Sequence, residues 1–382
     1  MDFQLEPQIL ELRDAILRFA RDELSPGARE RDREQIFDRE LFRKCGEMGL
    51  TGLPVPEAHG GTGLDALSTA VALEAFGYGC EDGGLVFSVC AHLLACVIPV
   101  WKHGTDTQKA RYLRALATGQ LLAVNAMTEP STGSDAFAMR TKAVAKGDGF
   151  VINGNKTFST NGPVADLALV YTVTDADKGF HGGITAFLVP ANTPGFTPGQ
   201  RFEKLGLRTS PIGELVFDDV YVPRDAILGK VGGAAPVFTE SMDWERACLV
   251  ATHVGTIRRL LDTAVDYART RKQFGQAIGK YQAVSHRIAD MRIQLEAAQL
   301  LTYKAAMHLD TSRTAGLYAS MAKTFVSEAL VKSALDTIQI LGGYGFMVEY
   351  DVERVLRDAI GSTIYSGTNE MQRNVIARWL GL

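Results

Sequence analysis

The sequence predicts an α+β chain that runs from helices to strands and back to helices. An N-terminal helical domain is expected over 1–122, a central antiparallel β-barrel domain over 123–232 and a C-terminal four-helix-bundle domain over 233–382. Three observations carry this. The chain has 382 residues, too many for one core. Both ends repeat apolar residues near a 3.6-residue period. Between them, from about Ala123 to Gly232, the composition shifts to Val, Thr, Phe and Gly, with glycine-centred turn signals.

Taken in order, Ile9, Leu12, Ile16, Leu17 and Phe19 give the first helical stripe, and 64–76 and 107–116 repeat the rhythm. Pro54, Pro56 and the pair Gly60-Gly61 mark a loop between them. In the middle zone, GDGFVINGNKTFSTNG holds two turn signals, Asp148-Gly149 and Asn153-Gly154, around a short β run. Segments 165–174, 183–190 and 214–223 read as strands. No βαβ alternation is present, which argues against a dinucleotide-binding domain. Helical patterns return over 237–270, 281–309 and 316–341.

Composition excludes several classes. Net charge is −4, from 40 basic and 44 acidic residues, with no block of like charge, so no nucleic-acid or membrane-surface partner is expected. The longest apolar stretch, 93–101, is too short to span a bilayer. The start of the chain is acidic and amphipathic, unlike a signal peptide. Five cysteines without CxxC spacing read as buried thiols in a reducing, cytoplasmic setting. The seven histidines form no HExxH or His/Cys cluster, so no metal is expected.

Five short stretches carry the chemistry. MTEPSTGSD (127–135) reads as a strand end entering a turn rich in hydroxyls and glycine, able to meet a ligand's polar edge. KTFSTNG (156–162) follows it. RKQFG (271–275) closes a long helix with cations. QILGGYG (339–345) is a helix stop with adjacent glycines, and IYSGTNEMQ (364–372) is a polar break in a helical tail. Each alone also fits an ordinary loop or helix end. Together and in this order, the chain resembles the acyl-CoA dehydrogenase family of flavoproteins over essentially its whole length.

The resemblance implies FAD bound between the β domain and the C-terminal bundle. By position, Met127, Thr128, Gly133 and Ser134 would lie along the cofactor, and Thr160 would bond near its N5. Phe158, where relatives often have tryptophan, would flank the ring. Arg271, Gln273 and Phe274 would reach the FAD of a neighbouring subunit, as would Gln339 and Gly343. Thr368 and Glu370 would touch the cofactor of their own site. Such sharing implies a homo-oligomer, a tetramer first and a dimer second. Ser131, where many relatives have glycine, is a departure that alters loop flexibility only.

The family's reaction removes an α-proton from an acyl thioester while a hydride leaves the β-carbon. Many relatives carry the glutamate base at the position of Ser366, and serine cannot replace it without an activating partner. An isovaleryl-type minority places the base on the first long C-terminal helix, where SMDWERACLVA (241–251) offers Glu245. Met242, Cys248 and Leu249, at i−3, i+3 and i+4, surround it with apolar side chains. Such burial raises a carboxyl's pKa toward that of a working base. Arg246 and Arg258 are the cations that would instead make Glu245 structural; Arg246 is expected to point about 100° away. Glu240 is the other acid, on a different face.

At Ser366 the resemblance assigns a role to the backbone N–H alone, holding the thioester carbonyl beside Gly367. Trp244 and Tyr365 would shape the acyl pocket or simply fill the core, and Ser134 and Arg246 would touch the carrier arm. WERACL and the 271–291 and 364–382 stretches also resemble the branch that oxidises acyl or prolyl groups on carrier proteins. The expected partners are therefore an acyl-CoA or acyl-carrier-protein substrate, and an electron-transfer flavoprotein or oxygen as acceptor. A same-fold flavin monooxygenase or desulfinase, and a scaffold without chemistry, are the rival readings.

Overall fold

The structure is a computed structural model that describes residues 5–309 and 314–382. The N-terminal zone is helical, and two of its core helices start on aspartate caps. Asp65 accepts the Ser68 N–H at 2.7 Å to open the helix Ala66–Gly79. Asp82 accepts the Leu85 N–H at 3.0 Å to open Gly83–His92. The latter continues through a π turn, Leu93–Val97, into Ile98–His103. This run is long and apolar enough to cross a membrane, contrary to the length expected from the sequence alone. Yet 83% of its most apolar 18-residue window is buried inside the protein. Leu85, Val89, Leu93 and Val97 are core residues, which accounts for the composition.

The central zone departs from the expected antiparallel barrel. Eight strands form one sheet: β1 (Ala123–Ala126), β2 (Lys142–Lys146), β3 (Gly149–Thr160), β4 (Leu167–Val173), β5 (Ile184–Pro190), β6 (Phe196–Arg201), β7 (Ile212–Pro223) and β8 (Ile227–Leu228). Their order is β6-β7-β3-β2-β4-β5-β8, with β1 also on β4. The sheet is open, and β4 takes β1 and β2 in parallel while the other pairs are antiparallel. Asp148-Gly149 does lie where the chain turns from β2 into β3. Asn153-Gly154 is not a turn but a bulge within β3, with Gly154 at φ 146°. A Cβ there would stand 2.5 Å from Thr141 Oγ1. Asn153 instead clasps Asp219 of β7, accepting its N–H at 2.8 Å.

Strand alternation decides what the sheet covers. In β4, Leu167, Leu169 and Tyr171 join the large core shared with the helices, whereas Ala168 and Val170 face a second, smaller core with Phe187, Val189 and Phe217. The C-terminal zone packs three long helices, Val250–Thr270, Gln282–Leu309 and Ala315–Leu341, on one another, with Val352–Gly361 and Asn369–Trp379 against the third. Val250–Thr270 also crosses Ala66–Gly79 at very short range. A Cβ on Gly77 would stand 2.1 Å from the Thr252 carbonyl oxygen, and one on Gly255 2.1 Å from that of Glu74.

Candidate active site

Glu245 is the first residue of a π turn, Glu245–Leu249, that joins the helix Ala234–Trp244 to Val250–Thr270. Its side chain is buried, as are Met242, Cys248 and Leu249, the apolar neighbours in its sequence spacing. Burial raises its pKa above the ordinary carboxylate value, opposed by a hydrogen bond from Ser366 and by the charges of Arg246 and Lys323. The Ser366 hydroxyl donates a short hydrogen bond to Glu245 Oε1. This corrects the expectation that only the backbone of Ser366 matters, because the side chain touches the acid directly.

Ser366 sits in the left-handed region at φ 58°, followed by Gly367 at φ 85°. Its carbonyl accepts from Arg246 Nε at 3.0 Å and from Gln372 Nε2 at 3.1 Å, and Gln372 also donates to the Gly367 carbonyl at 3.0 Å. Arg246 therefore clamps the polar break without a hydrogen bond to Glu245, although its charge favours the ionised carboxylate. Arg258 is engaged elsewhere, donating to Glu74 at 3.0 Å. Glu240 pairs with His103 Nε2 at 2.7 Å, away from this cluster of contacts. Trp244 is a fully packed core residue, and Tyr365 bonds His253 Nε2 at 2.9 Å.

The residues assigned to the flavin's ring lie on two adjacent segments of the β zone. Thr157 N–H donates to the Thr128 carbonyl at 2.8 Å, which ties them together. Below, Lys156 is fully buried and donates to the Met127 carbonyl and to Glu129, each at 2.9 Å. Glu129 also accepts from the Arg140 and Thr141 N–H groups, at 2.6 and 2.9 Å. Gly133 and Ser134 are exposed on this loop. Phe158 is held at φ 52°, with its ring 62% exposed. A bulky residue at positive φ is strained, and strain of this kind persists where the surroundings fix it. Thr160 ends β3 opposite Ile212.

Thr132 Oγ1 and Ser159 Oγ, on the same two segments, are buried with no hydrogen-bond partner among the described residues. An exposed ring and unsatisfied hydroxyls on adjoining backbone fit a planar, polar-edged group such as a flavin. Arg271, Gln273 and Gly343 line a separate surface depression with Tyr267 and Tyr344, and a Cβ on Gly343 would meet nothing within 4 Å. Phe274, at φ 50°, is 94% exposed, and Gln339 is exposed as well. Thr368 caps the helix Asn369–Trp379, accepting the Met371 N–H at 3.4 Å, and Glu370 is exposed in its first turn. No His/Cys/Asp/Glu cluster able to hold a metal occurs among the described residues.

Sequence reasoning missed the supports. Lys323 is fully buried and donates to Asn369 Oδ1 at 2.8 Å, directly beneath the polar break. Burial pushes its pKa down to about 8. A lysine on a helical face otherwise built of small uncharged residues, Ala319, Ser320, Val326 and Ser327, was the available signal. His253 had none, since a lone histidine on a core helix has no distinctive spacing.

Comparison with known proteins accounts for this arrangement. The chain matches the N-terminal, middle and C-terminal domains of acyl-CoA dehydrogenases over residues 6–120, 125–220 and 234–381. It is 42% identical over 382 residues to an L-prolyl-[peptidyl-carrier protein] dehydrogenase of Serratia sp., covering 100% of this chain and 99% of that one. It superposes on the structure of PigA with FAD and proline with a TM-score of 0.98 and 42% identity, covering 100% of both chains. On butyryl-CoA dehydrogenase from Megasphaera elsdenii the TM-score is 0.96 and the identity 37%, again over 100% of both. The chain belongs to the acyl-CoA dehydrogenase family and is an FAD-dependent dehydrogenase of acyl thioesters.

Proposed function

We propose that Glu245 removes the α-proton of the acyl thioester. The observation that carries this is a buried carboxyl, raised in pKa, whose contacting hydroxyl belongs to the polar break where relatives hold their base. The thioester carbonyl is held by the Ser366 N–H, which makes no hydrogen bond within the chain among the described residues. Fixed donors at that oxygen stabilise the enolate charge as the proton leaves. Bound FAD supplies the acceptor for the hydride leaving the β-carbon. Met127, Thr128, Gly133, Ser134, Phe158, Thr160, Thr368 and Glu370 hold it from one subunit. Arg271, Gln273, Phe274, Gln339 and Gly343 hold it from the next, in a homotetramer of three-domain subunits bounded at 122/123 and 232/233, each closing with a four-helix bundle. Ser134, Arg246 and Gly367 contact the thioester and its arm, and Trp244 and Tyr365 back the acyl group.

The acyl carrier is CoA or a carrier protein. The carrier-protein reading is supported by the Serratia relative, which matches along the whole chain. Reduced flavin is reoxidised by an electron-transfer flavoprotein or oxygen. Five buried thiols are consistent with a reducing, cytoplasmic setting.

Anaerobic addition of short acyl groups, on CoA and on a carrier protein, tests this directly. The flavin should bleach, and Glu245→Gln should slow bleaching by about 10²–10⁴-fold or more while FAD stays bound. Near-normal bleaching by Glu245→Gln rejects the assignment of the base.

A further inference from the structure

A groove of about 1110 Å³ runs along the β8 edge of the sheet, outside the site described above. One wall is the helical segment 105–112. The other is the end of β5 together with the chain from Tyr221 through β8 to Val231. Gln108 ties the two walls together. It is buried, and its amide donates to the carbonyls of Asp225 and Ile227, each at 2.8 Å. The width of the groove is therefore set by the fold before any partner arrives.

On a chain of net charge −4, the charges in this groove run the other way. Three cations line it, Arg111, Arg224 and Lys230, against one carboxylate, Asp225. All three cations are exposed and form no ion pair among the described residues. Arg224 and Lys230 stand before and after β8, and Arg111 stands on the helical wall, so the charge is spread over both sides. A single phosphate would need its cations gathered at one point. Leu188, Pro190 and the 45% exposed Val231 add apolar lining. Apolar lining flanked by unpaired cations fits an amphipathic helix with acidic flanks.

One end of the groove meets the helix that leads to the base. Val231 is followed by Gly232, where a Cβ would stand 2.3 Å from the Gly182 carbonyl oxygen, and then by Gly233, which opens the helix Ala234–Trp244. Glu245 follows at the far end of that helix, about 17 Å along its axis at helical rise.

We propose that this groove docks the carrier protein that bears the acyl group. An acidic amphipathic helix of the carrier seats against Arg111, Arg224 and Lys230, and the thioester arm runs on beside the helix Ala234–Trp244 toward Glu245. The inference deepens the carrier-protein reading of the substrate and rests on it.

The test holds one acyl group constant, L-prolyl or butyryl, whichever bleaches the flavin of the holoenzyme. It changes the carrier: a peptidyl-carrier protein, CoA or free pantetheine. The readout is kcat/KM on the carrier protein divided by kcat/KM on pantetheine. In wild type this ratio should exceed one and fall as salt is added, because steering between exposed charges is screened. Arg111→Glu combined with Arg224→Glu should lower the ratio by roughly 10–10³-fold and flatten its salt dependence. Lys230→Glu, at the end nearest the base, should act in the same direction, and it serves as the second probe if the double variant folds poorly. An unchanged ratio in folded variants, or an equal loss on carrier protein and pantetheine, overturns the docking surface. A loss on CoA matching that on the carrier protein would mean that the groove takes the CoA nucleotide, and the carrier-protein occupant would be wrong. Bleaching by the acyl-CoA with none by the acyl-carrier protein overturns the proposal and leaves the base assignment standing. Absence of bleaching by any acyl thioester overturns both.

Discussion

At the residue scale, the proposed base Glu245 is bonded to Ser366, the position at which many relatives keep their base on the tail. The Ser366 hydroxyl stabilises the ionised carboxylate, whereas burial opposes ionisation. Replacing Ser366 by alanine removes the stabilising contact and keeps the backbone N–H. The Glu245 pKa should therefore rise further. A base works only when deprotonated, so bleaching fails below its pKa, and the acid limb of the pH–rate profile should move to higher pH in Ser366→Ala. At a pH well above both limbs the two rates should converge to within about tenfold, because the general base itself is retained. An acid limb that stays in place or moves to lower pH would show that the contact does not tune the acid. Much of this site was legible. Glu245 stood out because three apolar neighbours at helical spacing surround an acid. The Ser366 contact did not, because it joins residues 121 apart in sequence, and the reach of Arg246 was out of view for the same reason. Its angular offset from Glu245 was sound, but its side chain reaches across to the Ser366 carbonyl.

At the element scale, the position of Glu245 depends on how the helix Val250–Thr270 seats against Ala66–Gly79. Glu74 lies at that crossing, buried and accepting from Arg258, Gln299 and Tyr303 at 2.8–3.0 Å. Gly255 makes the approach possible, since any Cβ would collide with the Glu74 carbonyl. Gly255→Ala should therefore part the helices and destabilise the fold by about 1–3 kcal/mol, despite alanine's better helix propensity. Urea unfolding of the holoenzyme measures this, and a stability equal to or above wild type would refute the crossing argument. The π turn at Glu245 is less diagnostic than it looks, because Ala20–Leu24, Leu93–Val97 and Lys109–Leu113 form π turns with no candidate residue. Periodicity revealed the helices and the strands, since it reports which face is buried. It could not reveal the parallel β1–β4 pairing, where Ala123 meets Leu167 across intervening strands. It also misread Asn153-Gly154, because glycine at positive φ serves a bulge as readily as a hairpin turn.

At the scale of the whole molecule, the exposed surface of the C-terminal zone argues for a partner copy. Phe346 is 75% exposed, Val348 57% and Phe274 94%. Phe274 is the sharpest case. It occupies the two-residue loop between β9 (Lys272–Gln273) and β10 (Gln276–Ala277), where Phe274 and Gly275 both take positive φ, at 50° and 84°. That is the dihedral pattern of a type I′ hairpin, for which asparagine and glycine are suited and phenylalanine is not. An isolated subunit thus bears backbone strain of about 1–3 kcal/mol and a largely exposed aromatic ring, met within the chain by the edge of Tyr281. The arrangement makes physical sense if the ring is covered by another subunit, beside that subunit's FAD. Phe274→Gly separates the two effects. It relieves the strain, so the subunit should not be destabilised, while it removes the covered ring. Sedimentation velocity should then show a shift toward smaller species at low protein concentration, and the flavin-to-protein absorbance ratio should fall after dilution and gel filtration. Loss of thermal stability with assembly and FAD occupancy unchanged would instead mean that Phe274 serves its own chain, and the shared-cofactor reading of the hairpin would be wrong.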